Sequence, residues 1–154
     1  MNTIDYFKLQ AKNLHNDFKT KKPFFDEVIK DYLYEYTPKY FDIDAIVLDF
    51  DLDEDSFTLM NAQHVIAQLV GFEKWTELLK ASAPALELAK LLFDNQHKTD
   101  LRNWNDYIAY AEEMNQTNFD SETKLEIFKQ TVLGEGIFED YFSSYLLKQR
   151  EFGY

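Results

Sequence analysis

The sequence predicts an all-α fold, a single compact orthogonal bundle of about seven to nine short helices spanning residues 1–154. Three observations carry that expectation. Only four glycines and three prolines interrupt the chain, too few turn-formers for a many-stranded fold. Apolar residues recur at helical spacing along most of its length. Residues 56–72 hold seventeen positions without one charged side chain, in a protein that is 29% charged. That gap reads as a helix with little face left for solvent.

Taken in order, Ile4, Phe7, Ala11, Leu14 and Phe18 line a first helix with Asn2 or Thr3 as its cap. After the basic turn Lys19, Lys21 and Lys22, Pro23 suits the first turn of a second helix lined by Phe25, Val28, Ile29, Tyr32, Leu33 and Tyr36. Thr37-Pro38 ends it. Asp42 caps a short helix with Ile43, Ile46, Val47 and Phe50, although Ile46, Leu48, Phe50 and Leu52 also alternate as a strand would. Without a partner strand in sight, residues 43–53 are read as helix. Thr58 caps the uncharged helix, and Gly71 ends it as a left-handed C-cap with Phe72 folding back. Phe72, Trp75, Leu78 and Leu79 make a short helix. Ser82-Ala83-Pro84 opens a mostly buried one, in which Glu87, Lys90 and Asp94 form the single polar stripe. Leu101, Trp104, Ile108, Ala111 and Met114 mark the next. Asp120 or Ser121 caps a helix carrying Leu125, Phe128 and Val132, which Gly134 ends. Phe138, Tyr141, Phe142, Tyr145 and Leu146 line the last.

Composition narrows function mainly by exclusion. There is no cysteine, so disulfides, thiolate catalysis and Cys-ligated metals are out. Charges near the N-terminus argue against a signal peptide, and no apolar run approaches membrane-spanning length. A cytoplasmic protein with no membrane partner is the expectation. Net charge is −12, with seven acids and no base in residues 42–55. Phosphate contacts that hold DNA come from Lys and Arg, so nucleic acid is disfavoured as a partner.

Several motifs invite chemistry and fall short. Ile46-Val-Leu-Asp49-Phe-Asp51-Leu-Asp53 resembles the nucleophile strand of haloacid-dehalogenase-type phosphatases, but Asp53 stands where Thr or Val belongs and the following chain reads helical. Read as an EF-hand loop, the same stretch lacks the bidentate Glu at position twelve in either register. Residues 62–72 imitate the first half of a helix-turn-helix, but the second half slips by one residue and carries Glu73 and Glu77. No residue set calls for a metal or another cofactor. Asn61, His64 and Gln68 share one helix face as an uncharged polar stripe, without the second ligand that a metal site needs.

Residues 56–80 contain Ala67-x-x-x-Gly71-Phe72-x-x-Trp75-x-x-Leu78. This resembles a segment of small bacterial all-helical proteins, some attached to proteins labelled as glyoxalase-superfamily members. The resemblance implies a bacterial origin and an all-α neighbourhood. It brings no catalytic residue: Gly71 is a helix terminator, while Phe72 and Trp75 are packing anchors.

The chain has 14 Phe, 10 Tyr and 2 Trp, residue types that protein interfaces favour. The leading expectation is therefore a module that binds a protein partner or a second copy of itself, the latter through the C-terminal helix. Tyr34, Tyr40, Tyr110, Phe152 and Tyr154 are candidate contacts, beside the Asn61, His64 and Gln68 stripe. Two alternatives belong to other classes: a nucleic-acid-mimicking inhibitor of a basic protein built on residues 42–55, and an enzyme using His64.

Overall fold

The computed structural model describes residues 1–137 and 144–151. It is an all-α bundle. Eight α-helices stand among the described residues: α1 Thr3–Phe18, α2 Ile43–Phe50, α3 Leu59–Leu69, α4 Trp75–Lys80, α5 Ala83–Asp94, α6 Leu101–Asn115, α7 Ser121–Phe128 and α8 Leu147–Glu151. None is long and apolar enough to cross a membrane.

Local side chains start most of these helices. Asn2 accepts from Asp5 N–H, Asp42 from Ala45, Ser82 from Ala85, Asp100 from Asn103 and Asp120 from Thr123, each meeting one of the amides a helix start leaves unpaired. Thr58 and Asn61 cap each other across the first turn of α3. At the other end of α3, Gly71 takes φ +100°, Phe72 N–H donates to Ala67 and Gly71 N–H to Gln68, a Schellman closure. Of residues 43–53, Ile43–Phe50 form helix α2, which a left-handed Asp51 closes; a 3₁₀ turn follows at Glu54–Ser56.

Two stretches depart from the sequence expectation. The second predicted helix is instead an antiparallel hairpin, β1 Lys22–Asp26 and β2 Asp31–Glu35. The Asp26 carboxylate accepts from Val28 and Ile29 N–H, and Lys30 lies in the left-handed region at φ 53°, so the chain turns back where a helix would propagate. Aromatic and branched residues on either side suit strands. The helix through Leu125 does not end at Gly134 either. It widens into π-helical turns over Lys129–Glu135, and Gly136 supplies the left-handed stop at φ 64°. The predicted last helix falls largely on residues 138–143, outside the described residues, as do Phe152 and Tyr154.

Two apolar clusters make the core. The first gathers Phe7, Ala11, Leu14, Phe41, Ile43, Ile46, Val65, Ile66 and Leu78 from α1 to α4. The second joins Leu88, Leu92, Trp104, Ile108, Leu125, Phe128 and Val132. Helix α5 feeds both, giving Ala89 and Phe93 to the first and Leu88 and Leu92 to the second. Phe72 and Trp75 pack partly buried against the first cluster, as anchors do.

At the end of α1 lies a buried carboxylate, Asp17, 2% exposed. Its oxygens accept from three successive backbone amides, Lys39 at 3.0 Å and Tyr40 and Phe41 at 2.9 Å. Asp17→Asn would set an NH₂ group against N–H donors. By chemical denaturation it should cost about 3 kcal/mol, the scale of charge-assisted hydrogen bonds lost in a buried site. Gly71→Ala should cost about 1–2 kcal/mol, because a left-handed residue gains a Cβ penalty there.

Candidate protein-interaction site

Among the described residues, the hairpin presents the densest exposed apolar surface. Of the seventeen large apolar side chains exposed among the described residues, seven lie in residues 24–34: Phe24, Phe25, Val28, Ile29, Tyr32, Leu33 and Tyr34. None of residues 22–35 joins either core cluster. Val28, at the turn, is 91% exposed. Scattered apolar residues on a surface are ordinary, whereas a contiguous patch marks a contact site.

Register fixes which groups share a face. Phe25 pairs with Tyr32 and Pro23 with Tyr34 on one side; Phe24 pairs with Leu33 on the other, flanked by Lys22–Glu35 and Asp26–Asp31. Proline has no N–H to give, so Pro23–Tyr34 is a non-hydrogen-bonded pair, and so is Phe25–Tyr32 two residues on. Side chains approach closely in such pairs, and the Phe25 and Tyr32 rings meet edge to face at 5.4 Å.

That same phase decides what the two edges offer. Pro23 and Phe25 direct their backbone outward from β1, where proline removes one donor. On β2 the outward groups belong to Tyr32 and Tyr34, and the Asp31 carboxylate already takes the Tyr32 N–H at 2.7 Å. Both edges are thereby blunted against strand addition. The two faces remain open.

The base of the hairpin is tied to the body. Thr37 N–H donates to Thr20 Oγ1, whose hydroxyl donates to Asp17 C=O. Tyr36 packs its ring edge against Phe18 and donates its hydroxyl to Glu54. Lys21 reaches Glu54 at 3.9 Å and lies over the rings of Tyr34 and Tyr36.

The other anticipated residues are dispersed. Asn61, His64 and Gln68 do lie along α3, but Asn61 is engaged in the Thr58 cap. His64 is exposed, and its Nε2 meets the Gln68 amide at 3.0 Å, so its observed partner is an amide. Tyr34 belongs to the hairpin, whereas Tyr110 stands exposed on α6 beside Met114. No group of His, Asp and Glu suited to a metal ion occurs among the described residues. Sequence reasoning named Tyr34 but missed its neighbours, since a helical reading sent Phe25, Val28, Ile29 and Tyr32 to the core. Comparison of the chain with protein-family models, with curated proteins and with solved structures finds no match.

Burial and the bond to Glu54 push the Tyr36 hydroxyl above the usual tyrosine range; burial and Asp94 do the same for Tyr6, and burial and Asp49 for Tyr145. A raised folded-state value favours the protonated form, so the stabilisation is full below the ordinary tyrosine pKa of about 10 and is lost as pH rises through the folded value. Spectrophotometric titration should therefore find Tyr6, Tyr36 and Tyr145 ionising late, with stability falling from about pH 10 upward.

Proposed function

We propose that this chain is a protein-binding module that docks its partner on the faces of the hairpin at residues 22–35. The carrying observation is the concentration of exposed aromatic and aliphatic side chains on a two-stranded element outside both core clusters. A two-stranded hairpin is marginal in water by itself, and covering Phe25, Tyr32 and Tyr34 removes apolar area that the fold leaves wet. Tyr and Phe on a rigid ladder also bind with little loss of side-chain entropy.

The acidic segment fits this reading as structure. Asp42 and Asp53 cap turns, while Asp49 and Glu54 accept from Tyr145 and Tyr36. Four of the seven acids that would imitate a phosphate row thus have partners in the chain itself.

Tyr32→Thr with Tyr34→Thr keeps strand propensity and removes the rings. In quantitative pull-downs from the native lysate, this double variant should lose partner retention by at least tenfold, the scale of an interface hot spot. Helical circular dichroism should be unchanged. Undiminished retention of the same partner would sink the proposal, and Tyr110→Ser serves as the comparison for a contact through α6.

A further inference from the structure

A cleft of about 500 Å³ opens between the N-terminal half of α1, residues 39–40, the end of α5 and the start of α8. Its size falls within the range of small-molecule sites. Tyr6 and Phe93, whose rings meet edge to face at 5.8 Å, line it together with Tyr40 and Leu146. Much of the wall is therefore aromatic or aliphatic.

The backbone around the cleft is held in place by the fold itself. Lys39 and Tyr40 N–H both donate to the buried Asp17 carboxylate, and Tyr40 C=O accepts from Leu147 N–H at 3.0 Å. The Tyr6 hydroxyl donates to Asp94, whose charge is answered by Lys90 Nζ at 2.6 Å. Lys90 also lies over the Tyr6 ring, 4.5 Å from its centroid. A ligand entering here has little backbone to order.

Charge sets this cleft apart from the rest of the molecule. Lys39 and Lys148 line it, and no Asp or Glu does among the described residues. In a chain with 28 acids against 16 basic residues, that balance runs opposite to the composition. The side chains of Lys39, Lys148 and Gln10, the third polar lining residue, make no hydrogen bond or ion pair among the described residues. Two cations and an amide thus border an apolar wall with their donors unspent.

We infer that this cleft binds a small organic monoanion, a carboxylate on an aromatic or branched aliphatic body. The carboxylate lies between Lys39 and Lys148, and the body lies against Tyr6, Tyr40 and Leu146. Lysine is a compact point charge with three donors, which suits carboxylate oxygens as well as phosphate. The chain's field decides between them. At −12 it opposes anions in proportion to the charge they carry, so a singly charged ligand with apolar area to bury is favoured over inorganic phosphate. The site uses no residue of the hairpin.

The test is ¹⁵N-edited NMR titration of the full chain with 3-phenylpropionate, 3-phenylpropanamide and inorganic phosphate. Phenylpropionate should shift the Gln10, Tyr40 and Lys148 backbone signals and saturate with a Kd on the order of 1 mM, as suits so small a ligand. The neutral amide should bind at least fivefold more weakly, the scale of two exposed charge contacts. Lys39→Gln with Lys148→Gln should weaken the carboxylate at least fivefold and leave the amide unchanged. Raising salt from about 20 to about 300 mM should weaken the carboxylate alone in the unsubstituted chain, a readout that needs no variant. Non-saturating shifts, equal affinity for acid and amide, or full carboxylate affinity in the double variant would each overturn the assignment. Phosphate binding as tightly as phenylpropionate at the same signals would also overturn it, marking a site for an adventitious ion only.

Discussion

Asp17 is the constraint on which the arrangement turns. A carboxylate in the last turn of a helix faces the negative end of the helix dipole, and here it is also removed from water. Three consecutive N–H groups from residues 39–41 make that position tolerable. In return they fix the backbone just before α2, with Phe41 set into the first core cluster. The other side of the same segment is held as well. Tyr40 C=O accepts from Leu147 N–H, Asp42 N–H donates to Tyr145 C=O, and Phe41 bridges Leu146. One short stretch of chain thus joins the end of α1 to the start of α8.

The hairpin follows from that closure. Between Asp17 and the amides it binds, the chain has a score of residues to dispose of and a fixed place to return to. Thr20 and Thr37 mark the point of exit and return, one hydrogen bond apart. Everything between them that does not reach the core must leave the body, and β pairing satisfies its backbone while it does so. Pro23 and Asp31 then address the hazard that an exposed two-stranded element brings, which is indiscriminate pairing along its edges. An element blunted at its edges and apolar on its faces is suited to side-chain contact, and poorly suited to strand exchange.

What could be read from the sequence divides along physical lines. Caps were legible because they are local: Asn2, Asp42, Thr58, Ser82 and Asp120 each act within three residues, and Gly71 ends α3 by a conformation few other residues accept. The burial of α5 was legible from its narrow polar stripe. The hairpin was not, because Phe25, Val28, Ile29, Tyr32, Leu33 and Tyr36 satisfy a helical period while Phe25, Tyr32 and Tyr34 also satisfy a strand face. Periodicity alone cannot choose, and the deciding contact is Asp26 with the amides of its own turn. The polar stripe on α3 was placed correctly and weighed wrongly in part, since Asn61 belongs to the cap. Asp17 carried no signal at all: its partners lie 22 to 24 residues away.

Gln96 shows how the same closure reaches the end of α5. Its carbonyl holds the backbone of Tyr145, the residue whose own carbonyl accepts from Asp42. That structural duty fixes the amide in one orientation, and the orientation leaves Nε2 aimed away from Tyr145 N–H with nothing to donate to. Leucine would fill the space without an orphaned donor, but it would release Tyr145 and with it the strap over residues 40–42. The acceptor half of the side chain therefore serves the fold, while the donor half is left shielded and unmet. The cost of one unmet donor thus follows from a side chain whose place is set by the closure of the chain beside it.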